Sequence, residues 1–171
     1  CLPLSEEPFD LHAVLRELDA LHAPLAAQRG LAWDFDVGAH VPAWVVGDGR
    51  RLRQVLLNLL GNALKFTTTG NVGLRVAGQA GALAFVVEDT GPGMDAGQQA
   101  RLFCRFGQAD GARTATRFGG SGLGLAISQE LVVAMGGTIR VESVPGRGSC
   151  FVVSLPLRSP ADPSAVDAAA V

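Results

Sequence analysis

Apolar residues in this chain recur with two periods, and the switches between them mark its elements. From residue 11 to 30, Leu11, Val14, Leu15, Leu18, Leu21 and Leu25 recur at helical spacing, which predicts an amphipathic helix behind Asp10, stopped by Gly30 and open to a kink at Pro24. Residues 31 to 37 (LAWDFDV) change to a period of two, with Leu31, Trp33, Phe35 and Val37 alternating against polar or small residues, as in a half-buried strand. After a loop at Pro42, AWVVGD predicts a short strand, and Asp48 is placed to cap a helix over 51–65. Two extended stretches, 71–78 and 82–89, joined by a turn at 79–81, predict a hairpin. GLGLAISQELVVAMGG restores helical spacing between glycine-rich ends, and TIRVESV with SCFVVSLPL around Pro145-Gly146 predicts a second hairpin. Strands and helices that do not strictly alternate predict a two-layer α/β sandwich with a mixed sheet.

The helix over 51–65 carries the first chemical signal. At about 100° per residue, Leu52, Val55, Leu56, Leu59, Leu60, Ala63 and Leu64 fill one side, while Arg51, Gln54, Asn58, Gly61, Asn62 and Lys65 gather on the other. Arg53 falls on the apolar side, in the first turn, where a long side chain reaches water. An ordinary solvated face is one reading of the polar stripe, but such a face is more usually built from Glu and Lys. Asparagine is a mediocre helix former that seeks a polar partner. Side-chain amide oxygens are hard, neutral ligands suited to Mg²⁺, which shares its shell with waters and phosphates, and Lys65 would meet phosphate charge.

Composition narrows the class without deciding it. The 171 residues are 48% hydrophobic and contain no apolar run long enough to span a membrane, so a single well-cored soluble domain is expected. Net charge is -2, with basic and acidic residues mixed, which offers neither a nucleic-acid footprint nor a polybasic membrane patch. The three cysteines, Cys1, Cys104 and Cys150, are widely spaced and form no metal-binding pattern, as expected of a reducing, cytoplasmic compartment. With no initiating Met, Cys1 is expected to be an internal point of a longer protein. The Pro-, Ala- and Ser-rich stretch 159–171 reads as a flexible linker after a domain spanning 1–158.

Two glycine-rich segments complete the pattern. VVEDTGPGMDAG imitates a dinucleotide-binding fingerprint but has the wrong spacing, a proline in the first turn and no regular amphipathic helix after it. What remains is Asp89 at a strand end beside Gly91 and Gly93; the carboxylate can accept from an exocyclic amine, although these residues would also serve simply to begin a turn. RFGGSGLGLAIS runs Gly119, Gly120, Gly122 and Gly124 into a helix start, where free backbone N–H groups bind phosphate oxygens, without the Gly-Lys-Ser/Thr ending of a Walker motif. Residues 91 to 121 hold seven glycines and a single short apolar patch, which predicts a mobile lid.

These residues carry a resemblance. RLRQVLLNLLGNALKFT, DTGPGM, LFCRFGQAD and GGSGLGLAIS resemble, in order, the asparagine box, first glycine box, phenylalanine box and second glycine box of sensor histidine kinase catalytic domains. With MGGTIRVESVPGRGSCFVVSLPL resembling the closing hairpin, the likeness covers about residues 48 to 157. The chain is thereby identified as similar to the ATP-binding domain of a sensor histidine kinase, within the Bergerat-fold ATPases. The resemblance implies an α+β, two-layer sandwich whose mixed, mostly antiparallel sheet is covered on one face by helices.

For the site, the resemblance implies ATP and Mg²⁺ as cofactors. Asn62 would bind the metal, Asn58 would assist at metal and phosphates, and Lys65 would contact phosphate. Asp89 would bind the adenine amino group, with Gly91 and Gly93 shaping that wall. Gly120, Ser121, Gly122, Leu123 and Gly124 would line the triphosphate, with Arg117 a phosphate contact, and Phe103 and Phe106 would anchor the lid. Where water-using relatives carry a glutamate base, this chain has Asn58, an amide that takes no proton from water. That favours phosphoryl transfer to a histidine, and His12, His22 and His40 lack the acceptor's sequence surroundings. The acceptor and dimerisation helices are therefore expected elsewhere in the same protein, leaving this stretch monomeric, and the asparagine-box wording resembles hybrid kinases that carry a receiver domain. A water-using ATPase of this fold and a degenerate nucleotide-binding or interaction module are the competing readings.

Overall fold

The structure, a computed structural model, describes residues 6–79, 82–101 and 123–158. In chain order these form β1 (Glu7–Asp10), α1 (Leu11–Gln28), β2 (Ala32–Val37), β3 (Trp44–Gly47), α2 (Gly49–Phe66), β4 (Asn71–Gln79), β5 (Ala82–Asp89), α3 (Ala96–Arg101), α4 (Leu123–Ala134), β6 (Thr138–Val144) and β7 (Gly148–Leu155). The main sheet has the strand order β2-β4-β5-β7-β6, with β2 parallel to β4 and every other pairing antiparallel. The mixed, mostly antiparallel sheet expected from the sequence is present. β1 and β3 pair separately as a two-stranded antiparallel sheet. β1 has no apolar alternation of its own to betray it, because its pairing partner comes from 34 or more residues downstream in the register Asp10 to Trp44.

One face of the main sheet is apolar and covered. Val72, Leu74 and Val76 of β4, Leu83, Phe85 and Val87 of β5, and Val153 and Leu155 of β7 all join the buried core. Onto this layer pack α2, against β4 and β5, α4, against β6 and α2, and α1, against β2 and α2. The other face carries polar groups such as the Arg75–Glu88 ion pair. The alternation along each strand therefore sets which side the helices cover.

Both long helices begin where the sequence places their caps. Asp10 Oδ1 accepts from the backbone N–H of Ala13 at 3.0 Å, and Asp48 Oδ1 from that of Arg51 at 3.1 Å, each satisfying an otherwise orphaned donor of the first turn. In α2 the buried residues are Leu52, Val55, Leu56, Leu59, Leu60, Ala63 and Leu64, the complete apolar side read from the sequence. Arg53 escapes to the surface and pairs with Glu17 of α1 at 2.6 Å.

The stripe on α1 is rotated from its expected position. Leu11, Leu15, Leu18, His22 and Ala26 are buried, whereas Leu21 and Leu25 are 45% and 40% exposed. The rotation is fixed by β2: the His22 ring stacks on Trp33 with centroids 5.9 Å apart, and Trp33 Nε1 donates to Asp19 at 2.7 Å. His22 Nδ1 also bonds the Leu18 carbonyl, so a polar residue is satisfied in the core while two leucines stay outside. The helix runs on through Pro24 to Gln28.

Two substitutions two residues apart on α2, and so on opposite sides of the helix, separate its faces. Leu59→Ala removes a side chain 1% exposed in the core and is expected to lower unfolding free energy by about 2–5 kcal/mol. Gly61→Ala adds a Cβ that meets no described atom within 4 Å and is expected to raise it by roughly 0.5–1 kcal/mol. Urea denaturation of each variant against the parent measures both signs.

Candidate functional site

With its leucines against the sheet, α2 turns Arg51, Gln54, Asn58, Gly61, Asn62 and Lys65 away from it. Asn58 is half-buried, and its Nδ2 donates to Ser128 Oγ at 2.9 Å, a side chain on α4 that is 2% exposed. This contact holds the Asn58 amide nitrogen and leaves its oxygen as the end available to a ligand. Asn62, one turn on, is half-buried, and its side chain makes no hydrogen bond to any described residue. Lys65 is exposed in the last turn, where the negative end of the helix dipole favours a cation. Toward the start of α2, an open cleft of about 500 Å³ is lined by Arg50, Arg51, Arg53, Gln54, Leu57 and Asn58.

Asp89 ends β5, paired in register with Val72 of β4 on one side and Ser149 of β7 on the other. Its Oδ1 accepts from the Gly91 backbone N–H at 2.9 Å, and the Ser149 N–H also bonds the carboxylate. Burial pushes the Asp89 pKa above the ordinary carboxylate value, and these two N–H donors pull it partly back. Among the described residues, no cation pairs with it.

The glycines beside Asp89 serve two different purposes. A Cβ on Gly91 would stand 3.0 Å from Asp89 Oδ1, 3.2 Å from Thr67 Oγ1 and 3.3 Å from the Phe66 carbonyl oxygen. A side chain here would press on all three oxygens, and glycine lets them close around one backbone position without that crowding. Gly93 has φ +71°, and a Cβ there would overlap the Val144 carbonyl oxygen at 2.1 Å. Gly93 thus docks the segment onto the turn between β6 and β7. Gly146 N–H donates to the Pro92 carbonyl at 2.6 Å, Met94 N–H to Ser143 Oγ at 2.7 Å, and Gln99 Nε2 to the carbonyls of Met94 and Ser143. The segment read as lacking a regular amphipathic helix contains the short α3, over Ala96–Arg101. Six residues are too few for the amphipathic period to register, and Gln99, inside it, is held by contacts from β6.

Arg117, Gly120, Ser121 and Gly122, like Phe103 and Phe106 and the 159–171 stretch, lie outside the described residues. Leu123 and Gly124 are the first two residues of α4, so the glycine run leads directly into a helix start. Two residues near the site carry no role in the sequence reading. Ser128 is the small polar position in the apolar run LGLAISQELVVA, a signal in hindsight. Thr67, the C-cap of α2, is fully buried, and nothing in the sequence separates it from the exposed threonines that follow.

No group of three or more His, Cys, Asp or Glu able to hold a metal occurs among the described residues. The amide oxygens of Asn58 and Asn62 would offer a sparse, neutral donor set instead. That set suits a hard cation which completes its shell with waters and phosphates.

Comparisons with known proteins identify the family. The family model described as "Histidine kinase-, DNA gyrase B-, and HSP90-like ATPase" matches residues 47–159. The signal transduction histidine-protein kinase BarA of Escherichia coli K12 is 43% identical over 155 residues, 88% of this chain and 17% of the relative. The aerobic respiration control sensor protein ArcB of the same strain is 38% identical over 153 residues, 89% of this chain and 20% of the relative. The chain thus spans a fifth or less of the length of these relatives. Among solved structures, full-length ShkA in complex with AMPPNP superposes with a TM-score of 0.80 at 38% identity, covering 95% of this chain and 33% of that one. The chain belongs to the histidine kinase-, DNA gyrase B- and HSP90-like ATPase family.

Proposed function

We propose that this chain is the ATP-binding catalytic domain of a two-component sensor histidine kinase, working in the cytoplasm. In this reading it presents Mg²⁺-ATP for transfer of the γ-phosphoryl group to a histidine on a dimerisation domain of the same protein, from which a receiver domain takes it onward. The observation that carries the reading is Asp89: a half-buried carboxylate, fixed by two backbone donors and lacking a described cation, that calls for a donor from a ligand. The exocyclic amine of adenine is such a donor. The AMPPNP bound by the related ShkA supports the same ligand class.

Asn62 and Asn58 would hold Mg²⁺ through their amide oxygens, and the ion would shield the phosphate charge. Lys65 would add a cation near the phosphates, Gly91 and Gly93 would shape the base wall, and Gly120, Ser121, Gly122, Leu123 and Gly124 would supply backbone to the phosphates, with Arg117 beside them. The Asn58 amide, its nitrogen engaged by Ser128, accepts no proton from water, which favours transfer to a separate nucleophile over hydrolysis. Within the chain, His22 is 3% exposed and stacked on Trp33, and His12 bonds the Val41 carbonyl, so both are built into the packing rather than offered as acceptors.

Calorimetric titration with AMPPNP, with and without Mg²⁺, tests this directly. Binding is expected to be strengthened by Mg²⁺ and weakened about tenfold or more by Asp89→Asn, which replaces a charged acceptor, while Asn62→Ala removes most of the Mg²⁺ dependence. No binding at millimolar nucleotide would overturn the reading.

The raised Asp89 pKa gives a second test. The folded chain holds this proton more tightly than the unfolded chain, so ionisation of Asp89 subtracts stability as pH rises from the ordinary carboxylate range through the raised value. In urea titrations across pH without nucleotide, the parent is expected to lose stability relative to Asp89→Asn over that window. The difference should be constant above it.

A further inference from the structure

Four polar or charged side chains are buried among the described residues: His22, Asp48, Ser128 and Thr67. Three have partners. His22 bonds the Leu18 carbonyl, Asp48 caps α2, and Ser128 receives Asn58. Thr67 Oγ1 has none among the described residues, although the residue is 0% exposed. A buried hydroxyl without a hydrogen bond is costly, and native structures keep such groups where a ligand or water completes them.

The location of this hydroxyl is informative. Thr67 caps the C-terminal end of α2, beside the asparagine stripe, and its Oγ1 borders the same Gly91 position as Asp89 Oδ1 and the Phe66 carbonyl oxygen. Oγ1 is the one oxygen of these three that carries a hydrogen to donate. An ionised Asp89 only accepts. It can serve the amino group of adenine but not the acceptor nitrogens that flank that group, N1 and N7. An edge offering a donor next to an acceptor needs an acceptor next to a donor, and Asp89 with Thr67 supplies that pair.

Resting on the ATP reading above, we propose that Thr67 is a second base-reading residue, its hydroxyl donating, directly or through one water, to N1 or N7 of the adenine whose amino group bonds Asp89. The pairing also sets specificity. Guanine places a carbonyl oxygen where adenine has its amino group, so it sets an acceptor against the Asp89 carboxylate, and the complementary pattern is lost.

The test uses the complete 171-residue chain, with Thr67→Val, which removes the hydroxyl at similar volume, and Thr67→Ser, which keeps it. Each is titrated with ATP, 1-deaza-ATP and 7-deaza-ATP, and its melting temperature without nucleotide is recorded. Thr67→Val is expected to weaken ATP binding about three- to tenfold, to leave the nucleotide-free melt at or above that of the parent, and to have no effect on one of the two deaza analogues. Thr67→Ser is expected to bind ATP within about twofold of the parent. Unchanged ATP affinity in Thr67→Val, or an equal loss for all three nucleotides, would overturn the assignment of Thr67 alone. A parent that binds no ATP, or whose affinity ignores Asp89→Asn, would instead overturn the ATP reading and this inference with it. Should Thr67→Val fail to melt cooperatively, Thr67→Ala is read against the same three nucleotides by the same criteria.

Discussion

The anchoring of α2 to the sheet is the constraint on which the rest of the site depends. Seven apolar side chains, from Leu52 to Leu64, are buried along one side of this helix, and close packing there leaves it little freedom to roll. The opposite face is thereby aimed as rigidly as the core is packed. Asn58, Asn62 and Lys65 need no device of their own to point in a common direction, because the leucines have already chosen it. A roll of one residue, about 100°, would bury a polar group and expose a leucine, an error the hydrophobic effect penalises at both ends.

Polar groups are kept in the interior only where something answers them, and the manner of the answer separates structure from site. His22 and Asp48 are answered by backbone of their own surroundings, so they complete the fold. Ser128 is answered by Asn58, which ties α4, the helix that follows the second glycine-rich segment, to the middle of α2. Asp89 and Thr67 are answered incompletely. Their oxygens meet around Gly91, where Thr67 Oγ1 is the buried side-chain atom that the described residues leave without a hydrogen bond. An interior that is satisfied elsewhere and unsatisfied at one spot marks that spot as the one shaped for something else.

The hairpin of β6 and β7 has a second task besides extending the sheet. Its turn receives the segment from Pro92 to Gln99 through backbone and side-chain bonds, and Gly93 makes that approach sterically possible. The wall beside Asp89 is therefore braced by residues more than forty positions away in sequence. Rigid support of this kind is what a binding site needs, since a ligand then spends little of its interaction energy on ordering the protein.

The two-sided division of α2, its Asp48 cap, the strands other than β1 and the mixed sheet were legible in the sequence, because each follows from period, capping chemistry and turn residues acting over a few positions. The four linked motifs also pointed to the family, since their order survives in one dimension. Three features were not legible. The stripe of α1 could have used Leu21 and Leu25 or His22 and Ala26, and helical spacing tolerates either; stacking of Trp33 on His22 settled it. β1 exists through its pairing with β3, and that pairing is invisible in four residues with no alternation. Thr67 reads like its neighbours Thr68 and Thr69, and only burial beside Gly91 sets it apart. The sequence alone determined which residues could face a core and which could do chemistry, since those are properties of single side chains and short spacings. Tertiary structure decided which oxygens meet, because a hydrogen bond or its absence is fixed by distances between segments that no local pattern encodes.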